Sequence, residues 1–208
     1  LRLVLVMTGL TACKNDVVIL ANNDLGMHCM NEDFSSFMIL PPYNTVQAQI
    51  IQQGMAPTIL TSDLEVIYEI PGNTISSTKT NFWTYANALM GVSLAPDMGL
   101  TGNGMSGAMA PPSGEESRWT VTGIPITPIM DDGTENPYAL GLFTVMRDGE
   151  QVAQTQAVVP VSWEISCAIC HTEDGEETEA DKNLSVALNI LAKHDEEHDT
   201  DLVNNQPV

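Results

Sequence analysis

The chain has 208 residues, which suits one domain, or one domain with an appendage, and leaves room for a sizeable core. Seven Lys and Arg stand against 27 Asp and Glu, for a formal net charge of −20. That balance argues against nucleic acid and anionic lipid surfaces as partners, and it leaves a basic partner or plain solubility as its uses.

Leu1 to Leu10 is a short apolar run with one basic residue, Arg2, and it ends in Leu10-Thr11-Ala12-Cys13. It is too short to span a bilayer as a helix and reads as the apolar part of a secretory signal. Its ending resembles a bacterial lipobox, in which the signal is cut before Cys13 and that cysteine is lipidated. Residues 1–13 are therefore expected to be a lipoprotein signal peptide, truncated at its start. The alternative is an ordinary signal peptide, with Cys13 a stray thiol. On either reading the chain is exported, and a lipid anchor would hold it at a membrane surface rather than across the membrane.

Residues 14–163 read as β. Asp16 to Ala21 is a buried-strand run. Directly after it comes Asn23-Asp24-Leu25-Gly26-Met27-His28-Cys29-Met30, with four soft or borderline ligands in a row. His28, with Cys29 or a thioether, could hold a copper ion, or His28 alone could reach a haem iron. Equally, Met27, Cys29 and Met30 could pack as small hydrophobes while His28 hydrogen-bonds a turn carbonyl. In Asn44 to Gln52, Val46, Ala48 and Ile50 share one face until Ile51 breaks the alternation. Leu64, Val66, Tyr68 and Ile70 form another such face, with Glu65 and Glu69 opposite. Arg118–Thr122, Ala139–Met146 and Gln151–Val161 are further strand candidates, and Leu94 to Gly114, rich in Gly, Met and Pro, reads as a long loop. Short strands at this spacing predict a mainly β, sandwich-like or partly closed barrel domain.

Residues 164–208 carry a different chemistry. Cys167-Ala168-Ile169-Cys170-His171 is the attachment signal for c-type haem. Each thiol adds across one porphyrin vinyl group, and the adjacent imidazole becomes the proximal iron ligand. A redox disulfide or a partial metal site is the alternative, but no second CxxC completes a zinc ribbon. Of the four cysteines, Cys29 is then left alone. The acidic stretch from Glu173 to Asp201 reads either as a solvated face or as a docking face for a basic redox partner. Within it a helix is capped by Asp181 or Asn183 and striped by Leu184, Ala187, Leu188 and Leu191. His194 and His198 continue near the edge of that stripe, and either could close over the haem as the sixth iron ligand. Otherwise they are exposed last-turn histidines favoured by the helix dipole.

The Asn23–Met30 run, Leu40-Pro41-Pro42-Tyr43-Asn44, Thr80-Asn81-Phe82-Trp83, Gly99-Leu100-Thr101-Gly102, Gly123-Ile124-Pro125-Ile126-Thr127-Pro128 and Pro160-Val161-Ser162-Trp163-Glu164 together resemble a group of exported bacterial c-type cytochromes, many of them multihaem. The resemblance covers nearly the whole mature chain. It implies a β-rich region before a haem segment, then a helix ending in a His-Asp pair like His194-Asp195, and often a further CxxCH after a Pro-Val dipeptide like Pro207-Val208. The chain therefore reads as a fragment, and His194 could serve a haem attached beyond it. The expected function is electron transfer with haem c, in the bacterial periplasm or at the outer membrane, with the question of an enzyme activity left open. Cys167 and Cys170 tether the haem, His171 is the proximal ligand, His194 is the first choice of sixth ligand and His28 the second. Two other classes compete: a haem enzyme or small-ligand sensor with an open sixth position, and a metal- or partner-binding β module with haem as relay.

Overall fold

The computed structural model describes residues 16–24, 26–35, 40–163 and 179–205. The protein is mainly β; the described residues form three sheets and two helices. In chain order the elements are β1 (Val17–Asn23), β2 (His28–Cys29), β3 (Val46–Gln52), β4 (Thr58–Leu60), β5 (Glu65–Glu69), α1 (Phe82–Met90), β6 (Ser106–Ala108), β7 (Trp119–Val121), β8 (Leu140–Arg147), β9 (Glu150–Val158), β10 (Val161–Ser162) and α2 (Glu179–His198).

The first sheet is antiparallel and centred on β3, which pairs with β1 along one edge and with β4 and β7 along the other. The alternation read in β3 sets its register: Val46, Ala48 and Ile50 are fully buried, and Ile50 lies opposite Ile19 of β1. A period of two puts every second side chain on the same face, so one register buries the whole set. The second sheet, ordered β6-β5-β8-β9, is also antiparallel. Val66 and Tyr68 of β5 and Phe143 and Val145 of β8 point inward, while Glu65 and Glu69 stay exposed. Both sheets contribute to one core, with Trp119, Val121, Ile124, Ile126 and Val159. β1 also packs against β9, joining the two sheets along that side.

The β8–β9 hairpin closes on Asp148-Gly149, at φ 52° and 82°. Two residues with positive φ make the tight turn whose twist matches paired strands. A bulge follows between Val145 and Met146, which leaves Val152 of β9 without a partner in the register.

β1 is not buried on both faces, since Leu20 is 54% exposed while Val17 and Ile19 are inside. The Leu94–Gly114 loop contains a strand, β6, which pairs with β5. Helix α1 was not foreseen. It is held by Phe82 and Ala86 in the core, and it stops at Gly91, whose φ of 68° supplies the left-handed cap that breaks a helix cleanly. Phe82 meets Phe34 and Trp83 edge-on, at ring-centroid distances of 5.3 and 4.9 Å.

Segments far apart in the chain meet through side-chain amides. Asn44 is buried, donates to the Pro160 carbonyl at 2.6 Å and accepts from Asn23 Nδ2 at 2.6 Å. Its own carbonyl takes the Ile124 N–H. Asn81 does similar work, accepting the Phe34 N–H at 2.9 Å and donating to Asp33. Gly99 and Gly123 permit a further close approach. A Cβ on Gly123 would strike Thr101, whose hydroxyl donates to the Thr122 carbonyl at 2.6 Å.

Candidate functional site

Cys13, Cys167, Cys170 and His171 lie outside the described residues, as do Asp181 and Asn183 for anything concerning side chains. The chain leading to the CxxCH segment is described as far as Trp163. There β10 forms a two-residue parallel pair with β2, with Val161 opposite His28 and Ser162 opposite Cys29. The His28 N–H donates to the Pro160 carbonyl at 3.2 Å, and the Met30 N–H donates to the Ser162 carbonyl at 2.9 Å. The Met27–Met30 loop is therefore stitched to β10, whose Ser162 stands five positions before Cys167 in the sequence.

Within that loop only Met30 is buried; Cys29 is a half-buried free thiol and Met27 is exposed. The His28 imidazole lies 5.9 Å from the Tyr43 ring, and its Nε2 sits 2.8 Å from the Pro41 carbonyl oxygen. A carbonyl can only accept, so Nε2 carries the proton and Nδ1 the lone pair. Burial holds the imidazole below its ordinary pKa, against the opposing pull of that hydrogen bond. His28 is thus a neutral imidazole bound to a turn carbonyl. Among the described residues, no group of three or more His, Cys, Asp or Glu side chains gathers in a way that could hold a metal ion.

Helix α2 places the other candidate. Of its expected apolar stripe only Ala187 is buried, together with Val186, which the stripe had not included. Leu184 is 56% and Leu188 36% exposed. The helix ends in His194 and His198, both exposed, with ring centroids 4.6 Å apart. Past the helix the chain turns at Asp199, φ 53°, and comes back to Asp195. Asp195 Oδ1 accepts the Thr200 hydroxyl at 2.7 Å and the Leu202 N–H at 2.8 Å, and Oδ2 accepts the Val203 N–H at 2.9 Å. Partial desolvation works against ionisation of Asp195, but those hydrogen bonds outweigh it and hold the carboxyl below its usual range.

His194 Nδ1 lies 3.1 Å from the Thr200 hydroxyl oxygen. That hydroxyl has one proton, already given to Asp195, so Nδ1–H is the donor and Nε2 carries the lone pair. The imidazole is exposed and, among the described residues, its Nε2 makes no hydrogen bond, so that nitrogen is open to a metal. His28, whose Nε2 is committed to Pro41, offers only Nδ1. Sequence reasoning found His194 and Asp195 but missed Thr200. The signal for it was an Asp in the last turn followed by a threonine just past the helix end.

No protein-family model and no curated protein matches the chain. Among solved structures, it is similar in part to the Pseudomonas fluorescens alkylpurine DNA glycosylase AlkC bound to DNA containing an abasic site analogue. The identity is 12%, the match covers 70% of this chain and 30% of that one, and the TM-score is 0.28. The chain thus spans less than a third of that protein's length, and so slight a likeness transfers neither fold nor function.

Proposed function

We propose that this protein is an exported c-type cytochrome that carries electrons, with haem c held by Cys167 and Cys170, His171 as proximal iron ligand and His194 as the sixth. The reading stands on the CxxCH sequence. What favours His194 over His28 is the state of their ring nitrogens: among the described residues Nε2 makes no hydrogen bond in the one and is bound to Pro41 in the other. Bound haem supplies a reversible one-electron iron couple, tuned by its axial ligands and surroundings. The chain's own residues supply the rest. Leu184 and Leu188 offer apolar surface on the helix that presents the imidazole, and exposed Glu196, Glu197, Asp199 and Asp201 set negative charge beside it. That charge suits a basic redox partner. The proposed location is the periplasm or outer membrane, with Cys13 lipidated. Among the described residues, no helix is long and apolar enough to cross a membrane.

Maturation in a host with a c-type assembly system tests the reading. Haem is expected to stay with the polypeptide through denaturation and acid–organic extraction, and Cys167→Ala with Cys170→Ala is expected to abolish this. Haem that washes out of the unmutated chain overturns the proposal. The ferrous form is expected to be low-spin and slow to bind carbon monoxide. His194→Ala then gives a high-spin signal and rapid binding, while His198→Ala changes little. If His28→Ala opens the iron instead, the loop after β1 supplies the ligand. A high-spin unmutated protein favours an open-site enzyme or sensor.

A further inference from the structure

We propose that Thr200 and Asp195 are positioning residues for His194, fixing its imidazole as the Nδ1–H tautomer so that the Nε2 lone pair faces outward to a metal centre. This rests on the reading of His194 as an iron ligand and extends it to the groups behind the ligand.

The arrangement is a directed chain of three side chains. His194 Nδ1–H donates to Thr200 Oγ1 at 3.1 Å, and the Thr200 hydroxyl donates to Asp195 Oδ1 at 2.7 Å. Each direction is forced, because a carboxylate can only accept and threonine has a single proton. Asp195 also fixes where Thr200 stands. Besides the Leu202 and Val203 N–H groups held by its carboxylate, its backbone carbonyl accepts the Thr200 N–H at 3.3 Å. The returning loop is thereby pinned to the last turn of α2, one residue from the imidazole it orients. Without Thr200 the ring would be free to take either tautomer and to rotate about its bond to Cβ. A ligating imidazole whose far N–H is held by an acceptor keeps its orientation and becomes more basic at the ligating nitrogen. A more basic ligand, backed by the negative charge of Asp195, favours the oxidised iron and lowers the reduction potential.

Two measurements test this. The first uses the full chain carrying Cys167→Ala and Cys170→Ala, with ¹⁵N-labelled histidine, above the pH at which imidazoles titrate. Long-range proton–nitrogen correlations are expected to show His194 as Nδ1–H, to shift toward Nε2–H in Thr200→Val, and to return to Nδ1–H in Thr200→Ser. An Nε2–H form in the parent chain, or a tautomer unmoved by Thr200→Val, overturns the proposal. The second uses the haem-loaded protein. Thr200→Val and Asp195→Asn are expected to raise the reduction potential and to speed carbon monoxide association about 10–100-fold, the loss in metal affinity on removing such a partner. Thr200→Ser is expected to match the parent, with α2 helicity unchanged in all three. If His194→Ala opens the iron while Thr200→Val matches the parent in tautomer and potential, the positioning role fails and the ligand reading stands. If His194→Ala leaves the haem spectrum unchanged, the ligand reading fails and this proposal with it.

Discussion

Replacing Asn44 by Ala removes a buried junction between three distant segments, and its cost follows from the geometry. Two hydrogen bonds disappear, the one donated to Pro160 and the one accepted from Asn23. Neither partner is orphaned. The Pro160 carbonyl keeps the His28 N–H at 3.2 Å, and Asn23 Nδ2 keeps the Thr45 carbonyl at 3.4 Å. The loss is therefore about 1 kcal/mol per bond rather than the larger penalty of a stranded group. The space left by one carboxamide, at about 24 cal/mol per Å³ of residual cavity, adds up to about 1 kcal/mol. The sum is about 2–3 kcal/mol, or a fall in Tm of about 4–12 °C for a domain of this size. Calorimetric melting of the purified protein reads this directly. Asn87→Ala is the control, since it deletes an exposed amide bound to Ser93 at 2.8 Å and is expected to change stability by less than about 0.5 kcal/mol. If the two variants melt together, the junction at Asn44 does not hold the segments as described.

Gly123→Ala is expected to cost more than Gly149→Ala. Both glycines sit at positive φ, worth about 1–2 kcal/mol to any other residue, but only at Gly123 would the new Cβ strike Thr101. Equal denaturant midpoints for the two variants would remove the clash from the account. Asp131 accepts Lys79 Nζ at 2.8 Å and the Thr74 N–H and hydroxyl; although desolvation opposes ionisation, these bonds hold its carboxyl far below the ordinary range. A depressed folded-state pKa gives stability that is fully present above the unfolded value of about 3.9 and is lost as pH falls below it. Asp131→Asn is thus expected to be less stable at neutral pH and to show a flatter acid limb below about pH 4; an unchanged acid limb in urea titrations would count against this. On the proposed reading of Cys13 as lipidated, Cys13→Ser is expected to release the protein from membranes and from detergent phases, and a product that is soluble without the change would dismiss the lipid anchor.

The strands that pack one face were legible because a period of two is written in β3 and β5, where the inward residues are apolar and the outward ones, Ile51 and Ile67 apart, are polar. Where burial does not alternate, the chain hid its structure. Helix α1 reads Phe-Trp-Thr-Tyr-Ala-Asn, rich in residues with weak helix preference, and forms because Phe82 and Ala86 find the core. The short strands β4 and β6 exist only through their partners β3 and β5, and three residues carry no period of their own. The parallel pairing of β2 with β10 is two residues long on each side and left no local signal. At the candidate site, the residue types gave the imidazoles and the adjoining acid. The tautomer of each ring, which separates His194 from His28, depends on a hydroxyl and a carbonyl brought in by turns.

The pairing of β2 with β10 also bears on the order of events during synthesis. His28 leaves the ribosome near the start of the β region and Val161 at its end, so this pair cannot close until every strand between them exists. Closing so long a loop adds little to the equilibrium cost, because that cost grows only with the logarithm of length, but contacts of large sequence separation form slowly. The pairing therefore falls late in folding. On the proposed reading, the strand that precedes the haem-attachment sequence joins the body of the domain only at that stage. On that reading, maturation enzymes acting before then meet a domain whose last strand is still unpaired, and after it a finished sheet.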